Sequence, residues 1–219
     1  MGIKTFTLSP SDFGFMYNQC KRCYYNKYVN KINRPKYHMP GIFTTIDNLM
    51  TKFFDNKPTS LVSPDLPSGI VTLGGLKVQS KPIPCKEFNC EIILAGKIDS
   101  MLYFDDQTHG VMDFKTTKLI KQNEDFYFNQ LMSYSVALEH NDPEVTKPCK
   151  VRVLGLCCYK PEMFTDCNDL FGLLGQLEWI EIKKDKDKFK AMLRDVAELL
   201  TGPIPDPNPD CQFCSYRLG

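Results

Sequence analysis

The sequence carries almost no excess of charge. Its 27 Lys and Arg stand against 26 Asp and Glu in 219 residues, a formal net charge of +1. That balance excludes a protein that coats nucleic acid through bulk positive charge, while leaving room for a local basic face. Long apolar runs are missing too. Nothing approaches the roughly 18 residues that a membrane-crossing helix needs, and the N-terminal stretch lacks the charged-then-apolar pattern of a secretory signal. No internal repeat recurs, and no linker-like stretch divides the chain. These absences predict a soluble, intracellular, cytoplasmic protein with no membrane association. With 42% apolar and 24% charged residues it can bury a full core, and one domain over residues 1–219 is the simplest expectation.

Cysteine, by contrast, is plentiful. The ten cysteines are spaced unlike the disulfide framework of a small secreted protein. Four of them form two C-x-x-C pairs: Cys20 and Cys23 in NQCKRCYY, and Cys211 and Cys214 in PDCQFCSY. Four thiolates suffice for tetrahedral zinc or a 4Fe-4S cluster. Pairs lying almost a chain length apart are unlike a compact zinc ribbon, so the metal is expected to tie the two chain ends together. Redox or incidental use of the pairs is the alternative. Among the other six, Cys157 and Cys158 lie in the apolar run VRVLGLCCY and read as core thiols.

The order of elements predicts an α/β fold. LSPSDFGFMYNQCKRCYYNKYVNKI opens with Ser9 and Pro10, a helix-start pair, and reads as a helix. MPGIFTTIDNLMTKFF (39–54) reads as a second helix, and the Pro- and Gly-punctuated stretch 57–69 as a loop. GIVTLGGLKVQS and CEIILAGKIDSMLYF read as strands, with DDQTHG (105–110) as the turn into a third. A helix follows over 125–140, with Leu131, Tyr134 and Leu138 along one side. VRVLGLCCY and LEWIEIKKD are further strands, and KDKFKAMLRDVAELL is a closing amphipathic helix. Helices, a meander, a helix, two strands and a helix make a mixed sheet flanked by helices rather than a uniform βα alternation.

On the third strand, GVMDFKTTK places Asp113 and Lys115 two residues apart, hence on one face and roughly 7 Å apart along the chain. An ordinary ion pair on a solvated edge strand would satisfy that spacing alone. One hairpin earlier, however, Asp99 in AGKIDSMLYF can approach Asp113 across antiparallel strands. Two carboxylates beside one lysine are not a neutral pair, and a divalent cation between them relieves the repulsion. Mg²⁺ takes one or two carboxylates and fills its other positions with water and substrate phosphate.

GKIDSMLYF, GVMDFKTTK and NQLMSYSVALE together resemble the successive motifs of the PD-(D/E)XK nuclease superfamily. They resemble most closely its RecB/AddB-type branch, which includes the iron–sulfur CRISPR-associated exonucleases. That branch carries G-x-x-D, D-x-K-T and Q-x-x-x-Y, here Gly96 to Asp99, Asp113 to Thr116 and Gln130 to Tyr134. SPSDFGFMYNQCKRCYY and PDPNPDCQFCSYR resemble the ends of such nucleases. The resemblance implies a restriction-endonuclease-like core and a Mg²⁺- or Mn²⁺-dependent DNA exonuclease. Its substrate would be DNA, single-stranded or with a free end, and its partners the proteins of a DNA-processing complex. A catalytically silent DNA-binding or assembly module of the same fold is the rival. By the same resemblance Asp99 and Asp113 hold the metal with the backbone carbonyl of Phe114, and Lys115 orients or activates the attacking water. Gln130 and Tyr134, four apart on one helical face, position the site or the DNA backbone; a core tyrosine with a bonded hydroxyl accounts for Tyr134 equally.

Two departures from the branch stand out. Its members usually supply one cluster cysteine near the N-terminus and three near the C-terminus, whereas here the division is two and two. Cys23, one helical turn from Cys20, can replace the missing ligand, and zinc becomes the alternative to the 4Fe-4S cluster. Where a histidine often joins the catalytic metal, this sequence has Asp47 in GIFTTIDNLM, either a third ligand or an ordinary helix aspartate. His38 is the weaker candidate.

Between Cys20 and Tyr37 lie Lys21, Arg22, Lys27, Lys31, Arg34 and Lys36 with no acidic residue, interleaved with tyrosines. Basic groups beside aromatic faces suit single-stranded nucleic acid, and Lys118 and Lys121 can extend the track. The alternative is a solvated helix face with its tyrosines packed inward.

Overall fold

A computed structural model describes residues 2–35, 40–116, 124–145 and 147–214. His38, Lys36, Tyr37, Lys118 and Lys121 lie outside these residues.

The backbone of the fold is β4 (Cys90–Phe104). Its apolar residues alternate from Cys90 to Leu94, as a strand resting one face on a core requires. β4 is long enough to take different partners along its length. β1 (Lys4–Leu8) runs parallel to Cys90–Leu94, and β3 (Ile83–Cys85) runs antiparallel to the start of the same stretch. Further on, β2 (Gly69–Gln79) pairs antiparallel along one edge, and β5 (His109–Thr116) pairs antiparallel with Ser100–Tyr103 along the other. β6 (Val151–Cys167) lies parallel to β5, and β7 (Leu170–Glu181) antiparallel to β6. Among the described residues this is a mixed seven-stranded sheet with the path β1-β4-β5-β6-β7, β2 and β3 pairing with β4 off it. Residues 95–99 of β4 fall between the stretches held by β1 and β5. That split ends at Asp99.

Helices cover both faces. α1 (Pro10–Asp12), α2 (Lys21–Tyr28), α4 (Glu124–Glu139) and α5 (Lys186–Thr201) enclose the larger core with Ile92, Leu94, Leu154 and Leu156. α3 (Gly41–Phe54) encloses a smaller one, in which Phe54 stacks on Phe114, with ring centroids 5.6 Å apart. α5 begins where the Asp185 carboxylate accepts the N–H groups of Asp187 and Lys188, which satisfies two otherwise orphan donors. It buries Phe189, Met192, Leu193, Val196, Ala197 and Leu200, the stripe its sequence spacing predicts. Leu131, Tyr134 and Leu138 of α4 are buried as well.

Three expectations need correction. The helix expected through residues 8–32 is broken, because Phe13–Tyr17 is a π-helical turn and Cys20 is extended before α2 begins. The break sets Cys20 at the start of a helix and Cys23 one turn into it. The stretch preceding it forms β1, a strand that the sequence reading leaves out. The last two strands are far longer than VRVLGLCCY and LEWIEIKKD, because Asn168 and Asp169 both have positive φ (49° and 64°) and close a two-residue hairpin.

Candidate active site and cysteine centre

β5 alternates between the two cores. Met112 and Phe114 point into the α3 side, while Asp113 and Lys115 point toward α4. Asp113 is 3% exposed and ion-paired with Lys115. α4 closes over them: Gln130 Nε2 donates to Asp113 Oδ1 at 3.4 Å, and the Lys115 ammonium lies 5.6 Å from the Tyr127 ring centroid. Burial works to lower the Lys115 pKa, but the Asp113 carboxylate outweighs it and holds the pKa above the ordinary lysine value.

Asp99 stands at the split in the sheet, exposed to a cleft of about 330 Å³ that Thr44, Asp47, Asn48, Lys97 and Phe114 also line. Partial desolvation and then the Asp113 carboxylate push its pKa up to about 6. The Asp47 carboxyl is raised as well, by desolvation first, against the pull of Lys115. Asp47 therefore shares the cleft with Asp99. Yet among the described residues the cysteines are the only group of three or more potential ligands whose donor atoms lie within 4.8 Å of one another. A pair of hard carboxylates that raises the proton affinity of one member is the donor set that Mg²⁺ or Mn²⁺ prefers. Asp99 and Asp113 fit such an ion. Phe114 buries its side chain, so any role at the ion falls to its backbone.

Tyr134 donates its hydroxyl proton to the Lys97 carbonyl at 2.9 Å, two residues before Asp99. Its ring packs over Gly96, where a Cβ would lie 3.1 Å from the ring and 2.9 Å from Pro10. One face of α4 thus ties both carboxylate strands: Gln130 holds Asp113, and Tyr134 holds the backbone leading to Asp99. Opposite Asp99, β2 carries a β-bulge between Leu73 and Leu76. Gly74 permits it, since a Cβ there would overlap the Asp99 carbonyl at 1.5 Å, and Gly75 adopts φ +85°. The sequence reading missed this feature. Two glycines inside a strand pattern were its signal.

Cys20, Cys23, Cys211 and Cys214 are all buried and converge. The sulfur of Cys20 lies 3.6 Å from that of Cys214, and Cys23 lies 3.7 Å from both Cys211 and Cys214. Burial works to raise Cys20, but the backbone N–H groups of Asn208 and Cys23 outweigh it and bring its pKa down to about 6. Burial drives Cys23 and Cys214 upward. Crowded thiols of this kind are stable ionised together only around a cation. A tetrahedral ion with Zn–S bonds of about 2.3 Å sets its sulfurs roughly 3.8 Å apart, so the quartet fits one such ion.

The basic groups around α2 make contacts within the chain. Lys27 pairs with Asp12, and Lys31 Nζ donates to the Tyr28 carbonyl at 2.9 Å. Arg22 donates to the Pro205 carbonyl at 3.3 Å, and Lys21 lies over the Tyr17 ring. Arg34 donates to the Phe15 carbonyl, to Gln19 and to the Cys211 sulfur. Tyr24 and Tyr28 are core residues, so neither can stack on a base. Of the tyrosines on this helix Tyr24 and Tyr28 pack inward, whereas Lys21 and Lys31 remain exposed.

A protein-family model, the PD-(D/E)XK nuclease superfamily, matches residues 68–218, which include both carboxylate strands and α4. The chain belongs to the PD-(D/E)XK nuclease superfamily. A mixed α/β core with the sheet between helices is the fold of this superfamily. Among solved structures, one described as "Crystal structure of SSO0001" is similar at 14% identity with a TM-score of 0.43, covering 79% of this chain and 68% of that one. That likeness is too distant to bear on function. No curated protein matches. Among the described residues no helix is long and apolar enough to cross a membrane.

Proposed function

We propose that the protein is a Mg²⁺- or Mn²⁺-dependent DNA exonuclease of the RecB/AddB-type branch. It would hydrolyse phosphodiester bonds in single-stranded or open-ended DNA. The observation that carries this reading is the buried Asp113–Lys115 pair set against Asp99 at the split in the sheet. Asp99, Asp113 and the Phe114 carbonyl would hold the divalent ion, which when bound supplies a Lewis acid for the phosphoryl oxygen and a water of lowered pKa. Lys115, kept as an ammonium by Asp113, donates N–H groups to the attacking water or to a non-bridging phosphate oxygen. Gln130 fixes the Asp113 carboxylate, and Tyr134 fixes the strand that presents Asp99.

The rival, a silent module of the same fold, fares worse on energetic grounds. A buried ion pair is a poor source of stability compared with apolar residues of similar volume. Keeping Asp113 and Lys115 under α4 costs the fold something and is rewarded by chemistry.

For the cysteine quartet, sulfur spacings of 3.6–3.7 Å favour zinc over the 4Fe-4S cluster. In a four-iron cluster each cysteine binds a separate iron, which requires wider spacing. The ion is structural, with a closed thiolate shell and no position left for water.

Purified protein incubated with end-labelled single- and double-stranded DNA, with and without Mg²⁺ or Mn²⁺, tests the activity. Metal-dependent release of mononucleotides or short products from an end supports the reading. Intact DNA under all conditions refutes it.

A further inference from the structure

Past the carboxylates, the cleft reaches Lys97 on β4, and across the strand from it on β2 stands a second lysine, Lys77. Lys97 precedes Asp99 by two residues on β4, so the two side chains share a face, and both line the same cleft. Lys77 on β2 is the direct cross-strand partner of Lys97, which sets its side chain on that face too. Both lysines are exposed. Among the described residues neither ammonium has an ion-pair or hydrogen-bond partner.

Like charges directly opposite on antiparallel strands destabilise a sheet. The fold gains nothing from this pair, and it stands next to the site where an anionic substrate must enter. The bulge adds a second observation. A Cβ on Gly75 would come within 3.2 Å of Lys97 Cε and 3.7 Å of its Nζ, so the glycine leaves open the space across which Lys97 lies. Charge in the cleft points the same way. Asp47 and Asp99 line it, the buried Asp113 carboxylate acts on Asp99 from behind, and Lys115 is committed to Asp113. The divalent ion and Lys115 would be taken up by these carboxylates and the reacting phosphate, so an adjoining phosphate needs cations of its own.

We propose that Lys77 and Lys97 form a phosphate-binding clamp for the nucleotide adjoining the scissile bond. The clamp rests on the nuclease reading, and it sets the register of the strand against Asp99 and Lys115. The same two ammonium groups can take an internal phosphodiester or a terminal phosphate monoester.

The test is binding of a fluorescently labelled single-stranded oligonucleotide in EDTA, over a range of KCl concentrations. Wild type is compared with Lys97→Gln and with the Lys77→Gln/Lys97→Gln double variant. The double variant should bind about tenfold more weakly. Its log–log salt slope should be flatter by about 0.7, the contribution of one phosphate contact to a single strand. Its melting temperature should not fall, because a repulsion has been removed. In cleavage assays the loss should appear mostly in KM rather than kcat. Oligonucleotides carrying one neutral methylphosphonate then locate the contact. Wild type should lose affinity at one position to which the double variant is indifferent. If instead only removal of a terminal phosphate matters, the monoester is the ligand. A double variant with wild-type affinity and slope, while wild type binds and cuts, overturns the clamp alone. Wild type that neither binds nor cuts overturns the clamp and the nuclease reading together.

Discussion

The cysteine centre and the carboxylate site are built by opposite means. At the cysteine centre, four soft donors from the two chain ends are all buried, with their sulfurs within 4.8 Å of one another. At the carboxylate site, hard donors from neighbouring strands face a cleft, with Asp113 buried and Asp99 open to solvent. A closed shell leaves no place for water and can only hold the chain together. An open pair leaves positions that water and phosphate can fill. On the function proposed above, closure rather than metal affinity would separate a structural site from a chemical one. Changes at one should therefore leave the other standing.

After Asp113, the largest effect is expected at Lys115. Lys115→Met should lower the cleavage rate by about 10²–10³-fold, the usual effect of losing one preorganised donor. It should also lower the melting temperature by leaving the buried Asp113 carboxylate unpaired, so rates are compared well below the transition. A cleavage rate within twofold of wild type would erase the distinction between the sites. Next in size is the staple. Cys211→Ser should lower the melting temperature by about 10 °C, since 1 kcal/mol moves a chain of this length by roughly 2–4 °C. Activity at low temperature should fall much less. Elemental analysis of anaerobically purified protein should find one zinc per chain. A brown protein with about four irons would replace zinc by the cluster while leaving the staple in place.

Two smaller effects sharpen the contrast. Gly96→Ala should cost about 1–3 kcal/mol in urea unfolding, because the new methyl presses on Pro10 and Tyr134. Cleavage should fall with it, as Asp99 follows the displaced strand. Tyr134→Phe should cost about 1 kcal/mol for the hydrogen bond to the Lys97 carbonyl. It should slow cleavage several-fold without changing zinc content. A Tyr134→Phe protein as inactive as Lys115→Met would move this residue from positioning into the chemistry.

Much of this was legible in the sequence because it is local. Asp113 and Lys115 are linked by strand periodicity, Gln130 and Tyr134 by helical spacing, and the stripe of α5 by its own repeat. What escaped depends on distant partners. The helix drawn through Cys20 is interrupted because the cysteine must turn to meet Cys214 from the far end of the chain. β1 has only five residues and is a strand by virtue of β4 beside it. The basic run after Cys20 shows its charge in the sequence but not the Asp12 carboxylate and the Gln19 amide that Lys27 and Arg34 meet in the fold. Conversely, Lys77 and Lys97 are twenty residues apart and drew no notice until the β2–β4 register set them face to face. The structure also changes the choice of variant at Asp113. Alanine there would strand a buried ammonium, whereas asparagine keeps the shape and a hydrogen bond to Gln130.

Asp113→Asn is accordingly the most direct test, read as metal-dependent cleavage of end-labelled DNA alongside melting temperature and zinc content. The account predicts a protein that melts within a few degrees of wild type, retains its zinc and cuts at least about a thousandfold more slowly. Cleavage at the wild-type rate by a folded, zinc-loaded Asp113→Asn protein would contradict it.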